Sequence, residues 1–159
     1  MKIRYAKQED VSIVLSLIKE LAAYEKMSDE VVATEALLSQ WLFEKKIAEV
    51  MLLESENRII GFALYFYNYS TFVGRGGIYL EDIYIQPAYR GRGYGKSVFY
   101  HLAKIAREQG LGRIEWSCLN WNTPSIEFYH SLGAVKKDDW LLFRLQGQAL
   151  KALSDQEKY

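Results

Sequence analysis

The sequence has one cysteine and two histidines, and this shortage excludes two kinds of structure. With only Cys118, no internal disulfide can form, which fits a reducing compartment. His101 and His130 fall on different predicted helices, with no cysteine or acid in ligand spacing. We therefore expect no metal site, and we interpret Cys118 as an inert residue in a buried strand rather than as a nucleophile.

Long apolar runs and an excess of charge are also absent. No apolar run approaches the ~20 residues of a membrane helix, and the N-terminal stretch lacks the apolar segment of a signal peptide. Lysine and arginine total 20, as do aspartate and glutamate, which argues against binding to nucleic acid through bulk positive charge. We expect a cytoplasmic protein without a nucleic-acid or membrane partner.

What the sequence does have is enough apolar material for a core. Half of its residues are hydrophobic and 14% are aromatic, well above a disordered composition. A length of 159 residues suits one domain with one core. Because there is no repeat or linker, we predict a single domain over residues 1–159.

The spacing of apolar residues changes along the first half of the chain. Helical spacing predicts an amphipathic helix from Gln8 to about Tyr24, and Thr34 can cap a second helix. Apolar and aromatic runs at 47–54 and 59–69, separated by a short turn, predict a hairpin, and a third long strand follows at 78–86. An antiparallel meander is the simplest interpretation.

The second half of the chain predicts a parallel crossover. A helix marked by Val98 and Leu102 and stopped by Gly110 precedes a buried strand over 114–119. Strand, helix and strand in this order suggest that the two strands run parallel. The remaining predictions are a helix capped by Asn122 or Thr123, a last strand over 140–145 and a frayed helix from Gln146 onward.

The run YRGRGYGKS at 89–97 joins a predicted strand to a predicted helix, which suits an anion at the helix N-terminus. A P-loop needs a glycine where Arg90 stands, and the dinucleotide-binding fingerprint needs one where Lys96 stands. Because spacing sets the geometry of such loops, neither motif fits. The pattern that does fit is Arg90-x-x-Gly93-x-Gly95.

This pattern resembles the acetyl-coenzyme A loop of the GNAT superfamily of N-acetyltransferases. The run NWNTPSIEFYHSLG at 120–133 resembles the second cofactor-side element of the same superfamily. Within it, the chain is similar to one branch, the spermidine/spermine (diamine) N-acetyltransferases. The matching stretches are LIKELAAYE at 17–25, GFALYFYNYSTFVG at 61–74, YLEDIYIQPAYRGRGYG at 79–95 and WNTPSIEFYHSLGA at 121–134.

The resemblance implies a fold, a cofactor and an assembly. The fold is a mixed α/β structure with a mostly antiparallel twisted sheet flanked by helices and a parallel, splayed strand pair at the cofactor site. The cofactor is acetyl-CoA, the partner is a small-molecule amine, and the assembly is a homodimer. The cofactor-binding residues that it implies are Ile83, Tyr84, Ile85, Arg90, Gly91, Arg92, Gly93, Tyr94, Gly95, Lys96, Asn122 and Ser125.

The resemblance also implies two catalytic residues. Tyr129, which spacing alone would make a packed tyrosine, matches the catalytic tyrosine, and a phenol with a pKa of ~10 can stay protonated and donate as the thiolate leaves. Glu81 matches a substrate-side glutamate that takes a proton from the ammonium through water or simply binds it. By strand alternation Glu81 shares a face with Tyr79 and Ile83, where desolvation would raise its pKa, and Asp82 points to the other face.

An acidic group of residues suits a cationic acceptor, and the resemblance implies one here. Branch members that act on polyamines carry an acid and a tryptophan where Ser70 and Phe72 stand, and other members acetylate thialysine and related amino acids. The acceptor therefore stays open between a polyamine or diamine and a thialysine-like amino acid. The implied acceptor-side residues are Tyr24, Glu25, Glu81, Asp82, Glu115, Trp116 and Ser117.

The main hypothesis is direct transfer of acetyl from acetyl-CoA to a primary amine in a ternary complex. One alternative keeps this chemistry but acts on a protein N-terminus or a lysine side chain. Another is a non-catalytic GNAT-like module that binds CoA. The presence of both Tyr129 and Glu81 argues against the second alternative.

Overall fold

A computed structural model describes residues 1–156 of the chain. Its strands are β1 (Lys2–Tyr5), β2 (Glu49–Ser55), β3 (Arg58–Ser70), β4 (Arg75–Ile85) and β5 (Ile114–Trp116). Its α-helices are α1 (Val11–Tyr24), α2 (Glu35–Leu38), α3 (Tyr94–Glu108), α4 (Thr123–Ser131) and α5 (Gly147–Ser154). Short helical turns at Gln8–Asp10, Ser28–Glu30, Ser39–Glu44 and Pro87–Tyr89 connect them.

The five strands form one sheet in the order β1-β2-β3-β4-β5. The first four strands pair antiparallel, and β5 runs parallel to β4 after the α3 crossover. The predicted meander, the parallel crossover and the mixed α/β class are therefore confirmed. The β2–β3 turn contains Glu56 and Asn57 at φ of 54° and 60°, the left-handed conformation that a tight hairpin turn requires.

Side chains of a strand alternate between the two sides of the sheet. Buried residues occur on both sides. On one side, Leu52 and Phe62 pack with Leu17 and Leu21 of α1 in one apolar cluster. On the other side, Met51, Leu53 and Ala63 are fully buried as well. The helix α3 contributes Val98 and Leu102 to the core, and its Phe99 ring lies 4.8 Å from the Trp116 ring on β5.

The helix boundaries follow local hydrogen-bonding chemistry. Thr34 Oγ1 accepts a hydrogen bond from the Leu37 backbone N–H at 3.2 Å, which confirms the predicted cap of α2. The α3 helix ends before Gly110, whose φ of 66° is the left-handed conformation that terminates many helices. Asn122 caps α4, as described below.

Predictions for the last third of the chain are partly wrong. The strand predicted over 114–119 ends at Trp116, so Cys118 lies in an exposed loop rather than in a buried strand. The strand predicted over 140–145 does not form, and the four residues from Trp140 to Phe143 are 74–87% exposed. A strand requires a neighbour for its backbone groups, and apolar composition alone does not provide one.

The helix predicted from Gln146 is confirmed over Gly147–Ser154, and positions 157–159 of that prediction lie outside the described residues. The chain divides into two compact units, one of residues 1–119 and one beginning at Asn120. The first contains the sheet with α1, α2 and α3, and the second contains α4 and α5. The single domain over 1–159 stays a prediction. None of the helices within residues 1–156 has the length and apolar character to cross a bilayer.

Candidate active site

The glycine-rich loop between β4 and α3 forms an open backbone turn at the start of a helix. Gly91 and Gly93 have φ of 75° and 77°, a left-handed conformation that favours glycine. A Cβ added at either position would meet no atom within 4 Å, so the backbone is open to an approaching group. Gly93 immediately precedes α3, and the first N–H groups and the positive dipole end of that helix lie here.

Arg90 connects this loop to the end of α1. Its Nε donates a hydrogen bond to the Ile85 carbonyl oxygen at 2.8 Å. Its guanidinium carbon lies 4.4 Å from the ring centre of Tyr24 and 5.6 Å from that of Tyr84. A residue predicted at the cofactor therefore contacts Tyr24, which was predicted at the acceptor.

The other polar residues of the loop also have partners within the protein. Arg92 pairs with Glu56 at 3.7 Å, and both side chains are largely exposed. The Tyr94 hydroxyl lies 3.3 Å from Ser55 Oγ, which ties the first turn of α3 to β2. Lys96 is exposed on α3. The sequence predicts all three at the cofactor, and those roles stay predictions.

The strand β4 extends beyond its pairing with β5. The pairing runs from Ile78–Ile114 to Leu80–Trp116, whereas β4 continues to Ile85. Within residues 1–156, the segment 81–85 has no strand on its β5 side, so backbone N–H and C=O groups of that edge are available to an extended ligand. This is the splayed parallel pair that the sequence predicts.

A β-bulge in β4 decides which side chains share a face of the sheet. Leu64 lies opposite Asp82 and Tyr65 lies opposite Leu80, so Glu81 has no partner on β3. An extra residue of this kind shifts the alternation of side chains by one position and bends the strand. The carboxyl-bearing part of β4 is therefore irregular.

The prediction that Glu81 shares a face with both Tyr79 and Ile83 is wrong, because unbroken alternation does not hold at a bulge. Tyr79 pairs with Phe66 across the β3–β4 ladder, and the two rings stack. This pairing places Tyr79 on the same face of the sheet as Asp82, whereas Ile83 lies on the other face. Glu81 is exposed, whereas Asp82 is partly buried and is the carboxyl group whose pKa burial raises.

Three carboxyl groups, those of Glu25, Glu81 and Asp82, form an acidic cluster at the end of α1 and the bulge of β4. Burial, together with the nearby charges of Glu81 and Glu25, raises the pKa of Asp82 to about 6. Burial also raises the pKa of Glu25. No ion pair of the described residues includes any of these three carboxylates. Within residues 1–156, the cluster therefore carries negative charge that no ion pair neutralises.

Cys118 lies beside this acidic cluster. Burial and then the negative charge of Glu25 raise the pKa of the Cys118 thiol, which disfavours the reactive thiolate.

In residues 1–156, no group of three or more histidine, cysteine, aspartate or glutamate side chains has the arrangement of a metal site.

The acceptor-side residues predicted on and after β5 are held by hydrogen bonds. Glu115 Oε2 lies 2.8 Å from Arg113 Nε and accepts a hydrogen bond from Asn68 Nδ2 at 2.9 Å. Ser117 Oγ lies 2.8 Å from the Tyr79 hydroxyl. Unlike the acidic cluster, Glu115 has a cation beside it, and Trp116 packs on α3 as described above. Glu115 is therefore the less available carboxylate for a cationic ligand.

The second unit contains the predicted catalytic tyrosine. Asn122 is buried, and its Oδ1 accepts a hydrogen bond from the Ser125 N–H at 3.4 Å, which caps α4. Tyr129 is half-buried on the same helix, with its ring 5.5 Å from that of Phe128. The cap fixes the start of the helix that carries Tyr129.

The sequence analysis did not identify Glu20, whose carboxylate connects α1 to the end of β4. The Tyr84 hydroxyl donates to Glu20 at 3.2 Å, and Gln86 Nε2 donates to the same carboxylate at 3.1 Å. These bonds tie α1 to the end of β4. A signal was present, because Glu20 precedes Tyr24 by one helical turn and so lies on the same side of α1.

Comparison with known proteins gives a consistent result. A sequence model of the acetyltransferase (GNAT) family matches residues 14–134. The thialysine N-epsilon-acetyltransferase of Bos taurus is 37% identical over 164 residues, covering 96% of each chain. The L-ornithine N5-acetyltransferase of Arabidopsis thaliana is 30% identical, covering 96% of this chain and 87% of its own.

A solved structure, an integron cassette protein from the mobile metagenome of V. cholerae, matches with a TM-score of 0.81. It is 24% identical and the match covers 97% of both chains, which supports the fold. The family match spans the loop before α3, the β4 bulge and the helix of Tyr129. The chain therefore belongs to the GNAT family of acetyltransferases and is an N-acetyltransferase.

Proposed function

We propose that this enzyme transfers an acetyl group from acetyl-CoA to a primary amine of a small cationic acceptor, by direct attack in a ternary complex. The acceptor is a thialysine-like amino acid, or a polyamine or diamine. The observation that carries the proposal is the acidic cluster of Glu25, Glu81 and Asp82, which has no cationic partner in the described residues and adjoins the unpaired edge of β4. A cationic amine supplies the missing charge.

The residues of the first unit fit acetyl-CoA, which supplies an activated acetyl thioester when bound. The open backbone at Gly91 and Gly93 and the start of α3 suit a pyrophosphate. The unpaired edge over 83–85 suits the amide groups of a pantetheine arm. Arg92 and Lys96 add positive charge near the phosphates, and Arg90 braces the loop against Tyr24.

The relatives support a small amine as the acceptor. Thialysine and L-ornithine, which two relatives acetylate, are both amino acids that carry a primary amine at the end of the side chain. A carboxylate cluster binds such an ammonium group by charge-assisted hydrogen bonds. Tyr24 precedes Glu25 at the end of α1, and Ser117 precedes Cys118, whose thiol is affected by the charge of Glu25. With Glu115 and Trp116 of β5 they complete the proposed acceptor side.

Tyr129 is the proposed proton donor to the departing thiolate. It is half-buried on α4, and Asn122 and Ser125 hold the start of that helix through the cap. A phenol is a suitable acid for this step because it is protonated at neutral pH and a thiol is the stronger acid, with reference pKa values of ~10 and ~8.5. We propose Glu81 as a residue that binds the ammonium or takes its proton through water.

The proposal includes a homodimer in the cytoplasm. The assembly follows from the family resemblance, and the compartment follows from the presence of one free cysteine. Sedimentation equilibrium of the purified chain would measure twice the mass of 18.5 kDa for a dimer.

A panel of amines tests the proposed function. The purified protein is incubated with acetyl-CoA and thialysine, lysine, ornithine, spermidine, putrescine or a peptide, and thiol release and acetylated product are followed. We expect release with at least one small amine and little with the peptide. Tight CoA binding without turnover on any amine would favour a non-catalytic module, and turnover on the peptide alone would favour a protein acetyltransferase.

The variant Tyr129→Phe tests the proton donor. We expect kcat to fall by ~10²–10⁴, the usual contribution of a positioned acid, with little change in CoA affinity. Isothermal titration with CoA measures the affinity separately from turnover. An equal loss of both would mean that Tyr129 supports the structure of α4 rather than the chemistry.

A further inference from the structure

We propose that Asp82, rather than Glu81, takes the proton from the acceptor's ammonium group, and that Glu25 and Glu81 bind and orient that group. The inference rests on the proposed function and assigns a division of roles within the acidic cluster. It starts from the β-bulge, which separates two adjacent carboxylates of one strand into different environments.

The bulge turns Asp82 toward the protein. Asp82 lies opposite Leu64 and two residues before Tyr84, so these three side chains lie on one face of the sheet. Tyr84 is buried in the apolar cluster under α1, and Leu64 packs against the same cluster. The Asp82 carboxyl therefore stands at the margin of an apolar core, where water solvates its charge poorly.

Glu81 stands in a different environment. As the extra residue of the bulge it has no partner on β3, and its side chain is exposed. A hydrated carboxylate attracts an ammonium ion through charge-assisted hydrogen bonds. Exposure therefore suits Glu81 to binding the incoming cation, and partial burial suits Asp82 to removing its proton.

The charged groups around Asp82 determine how it titrates. From β4, Glu81 is adjacent, and from the end of α1, Glu25 adds a second negative charge. The Cys118 thiol lies beside Glu25 and is protonated at neutral pH. Arg90, the loop cation that reaches the end of α1, is stacked on the Tyr24 ring and hydrogen-bonded to Ile85. Burial and two like charges hold the pKa of Asp82 at about 6, close to the pH at which a general base works best.

The proton transfer is balanced in charge and atoms. An ammonium proton passes to Asp82 Oδ, directly or through one water, and leaves a neutral amine with a free electron pair. That pair forms the new C–N bond at the thioester carbon, the C–S bond breaks, and the thiolate takes a proton from Tyr129. The second amine proton is lost as the amide forms and restores the tyrosine. Asp82 then releases its proton to solvent.

The pH dependence of kcat/KM distinguishes Asp82 from Glu81. The variants are Asp82→Asn, Glu81→Gln and Glu25→Gln, with Glu44→Gln, an exposed carboxylate remote in sequence, as a matched control. For Asp82→Asn we expect kcat/KM at pH 7 to fall by ~10²–10⁴, and the acidic limb that belongs to Asp82 to be replaced by a rise that continues to the amine's own pKa of ~10. The deficit relative to wild type should then shrink about tenfold per pH unit toward pH 10, because the fraction of free amine rises tenfold per unit.

The other two variants should keep the acidic limb but move it to lower pH. Each removes a negative charge that raises the pKa of Asp82, and each should raise KM for the amine more than it lowers kcat. The opposite assignment, loss of the limb in Glu81→Gln and its retention in Asp82→Asn, would overturn the proposal. It would leave the proposed function intact, since turnover by wild type would already be established.

A measurement without substrate gives a second test. The carbon-13 shift of the Asp82 carboxyl group, followed by NMR against pH in the free protein, reports its titration directly. We expect a midpoint about two units above the aspartate reference of ~3.9 and a lower midpoint in Glu25→Gln. An ordinary midpoint near ~4 in a folded protein would contradict the proposal. Amide spectra of each variant verify that it folds.

Discussion

Carboxyl groups lie at both ends of helix α1, but their pKa values are shifted in opposite directions. At the first end, Arg4 of β1 makes two hydrogen bonds to Asp10, at 2.7 and 2.8 Å, and the Lys7 N–H donates a third at 2.8 Å. The hydrogen bonds from Arg4 lower the pKa of Asp10 to about 2. At the other end, burial and the charges of Glu81 and Glu25 raise the pKa of Asp82 to about 6, and no ion pair within residues 1–156 includes it.

The difference teaches how one helix serves both stability and function. A carboxylate with a bidentate arginine is satisfied within the protein and fixes β1 to the start of α1. A carboxylate beside two others is unsatisfied until a cationic ligand arrives, so it costs stability in the free protein. The predictions below either separate these two ends or remove the distinction.

The largest effect should come from reversing the charge of the acidic cluster. Glu25→Lys places a cation next to Asp82 and Glu81, where it takes the place of the substrate's ammonium group. We expect kcat/KM for the amine to fall by ~10² or more, since one unit charge at close range is worth a few kcal/mol, while KM for acetyl-CoA changes little. Asp10→Asn is the control at the other end and should leave amine kinetics unchanged. Equal losses in both variants would mean that the cluster acts only through stability.

The two aspartates should change stability in opposite directions at pH 7. Asp10→Asn removes the charge from a well-made ion pair and should lower the free energy of unfolding by about 1–2 kcal/mol. Asp82→Asn removes an uncompensated charge and should raise it by about 1–3 kcal/mol. Urea denaturation followed by circular dichroism measures both. A loss of stability in Asp82→Asn would show that its charge has a partner.

The free energy of unfolding should also depend on pH in opposite ways through Asp10 and Asp82. The folded pKa of Asp10 is lowered, so its stabilisation is present above ~4 and is lost as the pH falls through about 2. The folded pKa of Asp82 is raised, so the fold loses stability as the pH rises from ~4, where the carboxyl group ionises in the unfolded chain, to about 6. As the pH falls, the stability difference between wild type and Asp82→Asn should therefore vanish between about 6 and ~4. The difference between wild type and Asp10→Asn should vanish only between ~4 and about 2.

The smallest effect should come from an exposed pair in the second unit. Lys136 and Asp138 lie 2.6 Å apart, but both side chains are 71% exposed. Asp138→Asn should change the free energy of unfolding by less than about 0.5 kcal/mol, because water and salt screen exposed pairs. A loss as large as that of Asp10→Asn would mean that short distance matters more than burial here.

Much of the fold could be predicted from the sequence because its signals are local. The helical spacing before Tyr24, the cap at Thr34 and the aromatic strands around a short turn depend on neighbours within a few residues. The strand expected over 140–145 failed because its signal concerned composition only. A strand forms when another backbone lies alongside, and sequence does not state whether one does.

The site divides along the same line. The glycine spacing of the loop predicts an open turn before a helix, and the structure has it at Gly91 and Gly93. The faces of Glu81 and Asp82 could not be predicted, because a bulge depends on the register with β3. The contact of Arg90 with Tyr24 joins residues 66 positions apart and had no local signal.

The sequence by itself determined the order of elements and the glycine loop, since each follows from local chemistry. Only the tertiary structure decided which acid is paired, which is exposed and which is desolvated. The physical reason is that a carboxylate's pKa depends on its solvent and charged neighbours. Those neighbours are set by strand register and by helix packing, which bring distant parts of the chain to one place.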